Sequence, residues 1–299
     1  FLYSKKYLEL QAKHTTQANL TAKIIKSLKI PLPPLAEQRK IAEILSTVDE
    51  AIQRVDDAIA KTERLKQGLM QRLLTRGIGH ERFKYSKELG CEVPEEWRVV
   101  RLKDVVNEVK NGFASGRRDA NGIVQIRMNN VTTDGRLIFD SYLKVPIPEN
   151  LDEWLLKKGD FLFNNTNSYD LVGKSTIFNE APFPCTFSNH FTRIRFKKDL
   201  VLPELILHHF LILWKKGYFK SVAIRHVGQS AVHSKYLLKI KLPLPPLSEQ
   251  QKIAEILGTV DKKLELERKR REKLERIKRG LMNDLLTGRK RVIMDSMEV

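Results

Sequence analysis

Planar amide and guanidinium side chains, which can hold a nucleobase by two hydrogen bonds at once, gather at the ends of short apolar runs. Asn129 and Asn130 close "GIVQIRMNNV", Asn165, Asn167 and Ser168 close "GDFLFNNTNS", and Arg225 and Gln229 lie in "RHVGQSAVHSK". These seven are the candidates for reading base edges. Lys, Arg and Ser donors suit phosphate oxygens, so Arg117, Arg118, Arg127, Lys174, Ser230 and Lys235 are candidates for holding the backbone of a nucleic acid. A single loop Asn is ordinarily a turn former bonded to its own backbone. Grouped in a chain with a formal net charge of +18, some of them are expected to touch bases.

Catalytic patterns fit poorly. "VGKST", from Val172, resembles the end of a phosphate-binding loop, but Ser168 stands where that loop needs its first glycine. Cys91, Cys185 and the seven histidines have no metal-ligand spacing. The adjacent His208 and His209 lie in an apolar helical stretch, where packing or hydrogen bonding is expected. No Asn-Pro-Pro-Tyr motif of a methyltransferase occurs, "NNTN" is a poor substitute, and no glycine-rich cofactor turn precedes it. No active site or metal site is expected.

The charge excess favours a polyanionic partner, nucleic acid ahead of a membrane surface or an acidic protein. No run of eighteen apolar residues and no secretory signal is present, so no membrane partner is expected. Two cysteines make a disulfide framework unexpected and point to the cytoplasm. The chain opens on Phe1 inside what reads as the end of a helix, as a fragment would.

The elements that hold these loops are organised by a long repeat. Pro31–Thr75 aligns without a gap on Pro243–Thr287, with about 26 of 45 positions identical. Weaker matches extend backwards through His14/His226, Gln17/Gln229, Lys23/Lys235 and Lys29/Lys241. Each copy runs from a strand-like stretch, "KIIKSLKIPL" or "KYLLKIKLPL", through two prolines into a long helix. Ile41, Leu45, Val48, Ile52, Val55 and Ile59 follow coiled-coil spacing, after which the stripe is expected to shift to Leu65, Leu69 and Leu73. The second helix carries Ile253, Leu257, Val260 and Leu264, a polar middle with Glu267 and Arg271, then Leu274, Ile277, Leu281 and Leu285.

This predicts an α+β protein: a globular mixed-sheet domain with two long helices forming an antiparallel coiled coil. The expected division is a remnant of a first domain at 1–30, a helix at 31–75, a linker at 76–94, the globule at 95–242, a second helix at 243–287 and a tail at 288–299. Packing explains the leucines and isoleucines. The repeated polar residues Glu37/Glu249, Gln38/Gln250, Lys40/Lys252 and Glu43/Glu255 are expected to be exposed and to dock the same partner twice.

At "PLPPLAEQRKIAEIL" and "PLPPLSEQQKIAEIL", with "PEEWRVVRL", "VGKSTIF" and "HVGQSAVHSKYLLKIKLPLPPL" between them, the chain resembles the specificity (S) subunit of a type I restriction–modification enzyme. The resemblance implies a non-catalytic subunit whose target-recognition domains each read half of a bipartite double-stranded DNA site. It further implies helices that dock two methyltransferase (M) subunits, and restriction (R) subunits through them. S-adenosylmethionine, ATP and Mg are then cofactors of the partners, with none in this chain. A complete member carries a whole recognition domain before Pro31, so a truncated chain or a half-subunit pairing with another copy is expected. Two readings outside this one are a basic coiled-coil scaffold for protein assembly without base readout, and an enzyme.

Overall fold

The computed structural model describes residues 30–292 without a break, together with 13, 14, 18, 19, 22 and 26. Gln17, Lys23 and Lys29, most of the strand expected over 23–32 and most of the 1–30 remnant lie outside the described residues, as does the end of the 288–299 tail. A short hairpin of β1 (Lys13–His14) and β2 (Ala18–Asn19) falls, at the repeat's own offset, on a second hairpin described below. The main helices are α1 (Leu35–Arg76), α2 (Pro203–Lys215), α3 (Tyr218–Val222) and α4 (Leu247–Leu285). The chain forms two compact units, Phe1–Leu65 with Val260–Val299, and Lys66–Thr259.

In the first unit the helices run antiparallel. Lys278 pairs with Asp49 at 2.5 Å, Arg271 with Asp56 at 2.6 Å and Arg268 with Glu63 at 2.8 Å, so one helix descends as the other rises. Ile41, Val55 and Leu264 are buried on the seam. The expected shift fails at Leu65, which is 55% exposed, whereas Leu73 is buried and Leu69 packs beside it; buried Thr62, seven residues after Val55, keeps the original register, on which Leu69 also falls seven residues later. Glu267 and Arg271 likewise stand seven residues beyond Val260 and Leu264. A heptad seam tolerates polar residues when a partner meets them, as Asp56 meets Arg271. Ile277, expected on the stripe, is 43% exposed.

The second unit is built on antiparallel and mixed sheets. The main sheet has the order β11 (Ser175–Phe178), β9 (Asp160–Asn164), β13 (Phe191–Phe196), β6 (Val106–Asn111), all antiparallel. A second sheet sets β7 (Ile123–Ile126) between β12 (Cys185–Phe187), parallel, and β8 (Leu143–Val145), antiparallel. A third joins β10 (Thr166–Asn167), β15 (Gln229–Ala231) and β14 (Ile224–His226). β5 (Arg98–Arg101) pairs with β16 (Lys241–Leu244), drawing the two ends of the globule together. The stretch "KYLLKIKLPL" is therefore strand only from Lys241; residues Ser234–Leu237 form a helical turn before it.

Near-continuous apolar strands such as "DFLFN" are buried on both faces, which is why they do not alternate. Helix α2 covers β11 and β9, and Phe161, Phe163, Phe210 and Phe219 meet edge to face or tilted at 5.0–5.9 Å. Met70, Leu73 and Leu74 of α1, and Ile253 and Leu257 of α4, belong to the same core as Trp97 and Phe161. The packing unit thus extends beyond the expected limits of 95 and 242 into both helices. Nor is 76–94 a bare linker: β3 (Phe83–Ser86) and β4 (Cys91–Pro94) form a hairpin that buries Val93. Two apolar residues per strand were too few to signal it.

Candidate nucleic-acid interface

Five loop segments of the second unit are joined into one rim by hydrogen bonds. Asn189 N donates to Phe113 O at 3.1 Å, and Arg127 Nη2 to Ser115 O at 3.2 Å, tying the 113–118 and 188–190 loops to the end of β7. Asn165 N donates to His190 O at 3.0 Å, which brings in the loop after β9. That loop continues as β10, whose Thr166 and Asn167 pair with Ala231 and Ser230 of the β14–β15 hairpin. The hairpin turns at Val227 and Gly228, the latter at φ +80, a conformation that glycine adopts without strain.

On this rim Asn129, Ser168, Arg225 and Gln229 are exposed, as are Arg117, Arg118 and Lys235; Arg127 is half-buried. The Arg225 guanidinium stacks 3.8 Å from the centroid of the Tyr169 ring, and Lys220 reaches the same ring at 5.5 Å. An exposed cation held on an aromatic face keeps its donors free for phosphate or base edges.

Several expected contacts are spent inside the fold. Asn130 is buried: Oδ1 accepts from Arg127 N, and Nδ2 donates to the carbonyls of Ile138 and Ser141. Asn165 Nδ2 donates to Asn189 O and Thr192 Oγ1. Asn167 Nδ2 donates to Asn164 Oδ1, and its Oδ1 caps Ser168 N. Ser230 is buried within the third sheet. Lys174 is buried as well, donating to Met128 O at 2.8 Å and Val131 O at 2.5 Å, and burial holds its ammonium below the usual lysine range. These are corrections to the base and phosphate assignments. Buried amides and ammonium groups must be satisfied, and backbone carbonyls of irregular loops satisfy them. Their role is to fix the loops that present Asn129, Ser168 and Arg225.

The repeated polar residues of the helices divide in the same way. Glu37 is buried and takes a bidentate bond from Arg291, Nε to Oε1 at 3.0 Å and Nη2 to Oε2 at 2.7 Å, with Val292 N at 3.4 Å. Glu249 accepts from Trp97 Nε1 at 2.9 Å and Ile78 N at 2.9 Å, and meets His80 Nε2 at 2.9 Å. Each Glu therefore locks the segment that follows the other helix. Gln38 Nε2 donates to Pro33 O at 2.7 Å, and Gln250 Nε2 to Pro245 O at 2.9 Å, the same bond in both copies. Gln250 also bonds Leu200 O and Leu202 N. Glu37, Gln38, Glu249 and Gln250 are thus architectural rather than free faces. Lys40, Glu43, Lys252 and Glu255 are exposed in both copies.

Residues missed by sequence reasoning include Tyr169, Ser115, Gln125, Ser188, Asn189 and His190. The last five line, with Ala114, Gly116, Arg127, Met128 and Asn129, a cleft of about 540 Å³. Burial and the nearby Arg127 hold His190 below the usual histidine range, so it is neutral at pH 7. Gln125 had a signal: one amide inside the otherwise apolar "IVQI". Among the described residues no group of His, Cys, Asp or Glu could hold a metal ion, and no helix is long and apolar enough to cross a membrane.

Residues 1–61 and 94–276 match the family described as type I restriction modification DNA specificity domain. The chain is 33% identical over 296 residues to the type I restriction enzyme MjaVIII specificity subunit of Methanocaldococcus jannaschii, covering 96% of this chain and 68% of that protein. It is 25% identical to the EcoKI specificity subunit of Escherichia coli, spanning 76% of this chain and 49% of that one. Its fold is similar to the crystal structure of the HsdS subunit from Thermoanaerobacter tengcongensis, with a TM-score of 0.51 at 20% identity over 94% of this chain and 65% of the other. It is also similar to the type I system S subunit from M. genitalium, with a TM-score of 0.54 at 17% identity over 94% and 71% of the two chains. With the repeated helices, the α+β fold and the basic rim in place, the chain belongs to the family of DNA specificity subunits of type I restriction–modification systems.

Proposed function

We propose that this chain reads one half of a two-part double-stranded DNA target and holds methyltransferase subunits on the repeated outer faces of α1 and α4. Restriction subunits join through those methyltransferases. Methyl transfer from S-adenosylmethionine and the ATP- and Mg-dependent steps fall to the partners, and the assembly works in the cytoplasm. The rim of the second unit is the observation that carries this reading: Asn129, Ser168, Arg225, Gln229, Arg117 and Arg118 are exposed along loops that buried bonds hold fixed. Exposed Lys40 and Glu43, matched by Lys252 and Glu255, give two equivalent partners equivalent contacts.

The test has two arms. Co-expression with a type I methyltransferase subunit is expected to recover a complex with two methyltransferase copies, and K40E/K252E is expected to release them. Duplex DNA selected from a random pool is expected to bind with a steep salt dependence, log K falling by roughly 0.9 per phosphate neutralised. Failure to retain any methyltransferase, or equal affinity for selected and random duplexes, overturns the respective half of the proposal.

A further inference from the structure

The 540 Å³ cleft beside Asn129 has a floor of polar atoms that the fold leaves unsatisfied. Gln125 is fully buried, and its Nε2 donates to Phe113 O at 3.1 Å, which leaves Oε1 as an acceptor with no partner. Arg127 spends Nη2 on Ser115 O, and its buried Nε has no acceptor. Ser188 is buried with an unpartnered Oγ. All three lie at one end of the second sheet, Gln125 within β7 and Arg127 and Ser188 just past the ends of β7 and β12. Arg127 continues β7 in extended backbone, φ −125 and ψ 171, so two residues on from Gln125 it keeps the same face. The parallel register pairs Thr186 with Gln125, and Ser188 N donates to Ile126 O, which sets Ser188 beside Arg127.

Leaving three buried polar atoms unpaired is costly, and their pattern selects what could pair them. A phosphate carries only acceptors and would leave Gln125 Oε1 unmet. A metal cation would meet the Arg127 charge. An apolar group would satisfy none. What fits is a planar group with an acceptor and an N–H donor side by side. Among the single bases exposed in the major groove of duplex DNA, adenine alone carries both on one ring system, N7 as acceptor and the N6 amino group as donor; a G·C pair divides them between guanine O6 and the cytosine amino group.

We infer that this cleft is an adenine-reading site, in which Arg127 Nε–H donates to N7, Gln125 Oε1 accepts from the N6 amino group, and the Ser188 hydroxyl completes the floor. The inference rests on the DNA-reading role proposed above and names the residues that read one position of the target. Asn129 and neutral His190, on the cleft wall, lie beside the neighbouring base.

The experiment uses the full chain with its methyltransferase partner and a random duplex pool, sequenced after selection. Wild type is expected to enrich a motif containing an adenine that R127K and Q125M stop selecting, with the other positions unchanged. At that adenine, 7-deazaadenine removes the N7 acceptor and purine removes the N6 amino group. Each is expected to weaken wild-type binding roughly 5- to 150-fold. R127K is expected to be insensitive to the 7-deaza change and Q125M to the loss of the amino group. Thermal melts separate misfolding from lost reading, and S188A, the smallest change, provides a variant that keeps the fold. A wild-type motif that all three variants reproduce overturns the inference and leaves the DNA-reading role standing. A wild type that enriches no motif overturns both.

Discussion

Lys174 is the residue whose type most misleads. A lysine next to a glycine in a basic chain invites a phosphate role, but this one is buried and bonds the carbonyls of Met128 and Val131 on either side of Asn129 and Asn130. It is a positioning residue. Replacing it by methionine removes two charge-assisted bonds, each worth about 1.5–3 kcal/mol when both partners are sheltered. Lys174→Met is therefore expected to lower the unfolding free energy in urea and to blunt base preference. The slope of log K against log salt is expected to stay as in wild type. Arg117→Ala, at an exposed position, is expected to behave in the opposite way: stability unchanged, and the salt slope shallower by about 0.9. A shallower slope for Lys174→Met would contradict the positioning role. The distinction was not legible in the sequence, because the carbonyls that receive Lys174 lie more than forty residues away along the chain.

At the scale of elements, the two long helices are closed by reciprocal locks. The carboxylate that opens α4, Glu249, gathers Trp97, His80 and the backbone of Ile78 from the segment that follows α1. Glu37, which opens α1, receives Arg291 and Val292 from the segment that follows α4. The Glu249 site is sheltered, whereas the Arg291 side chain is 73% exposed. Glu249→Ala strands the indole N–H of buried Trp97 and is expected to cost about 1–3 kcal/mol, read as a lower melting temperature. Glu37→Ala is expected to cost clearly less. Equal losses at both sites would show that burial does not decide the strength of the lock. The heptad pattern of both helices was legible because seam spacing is a local property. That Thr62 and Arg271 stay on that seam was hidden by their polarity, since a polar residue there depends on its partner across the pair.

For the folded chain as a whole, the α2 histidines set an acid limit. Burial, with Lys66 and His209 nearby, pushes His208 down to about 3, and burial pushes His209 down to about 4. In the unfolded chain both take a proton near pH 6.5. Below that pH the unfolded state binds more protons, so stability that is fully present above about 6.5 is lost as the pH falls towards 4. The expected slope is about 1.4 kcal/mol per pH unit for each histidine. Urea denaturation at pH 7 and at pH 5 measures it, and the double variant H208L/H209L is expected to flatten the profile over that interval. An unchanged profile in the variant would place the acid sensitivity elsewhere.

By itself the sequence determined the α+β class, the two heptad helices and the basic character, and it pointed to the loops that form the exposed rim. Each of these follows from composition, from periodicity or from the repeat, none of which depends on which distant residues meet. The repeat also established that Glu37 and Glu249, and Gln38 and Gln250, have equivalent roles. Only the tertiary structure decided that the role is internal: the glutamates lock the chain beyond the opposite helix, and the glutamines cap their own entry. The same holds on the rim, where Asn130, Asn165, Asn167 and Lys174 hold loops while Asn129, Arg225 and Gln229 face outward. Gln125 and Ser188, an unremarked amide and hydroxyl in the sequence, became the floor of a cleft. The reason is common to all of them. A polar side chain can bond either inward or outward, and partners brought together from far along the chain decide which.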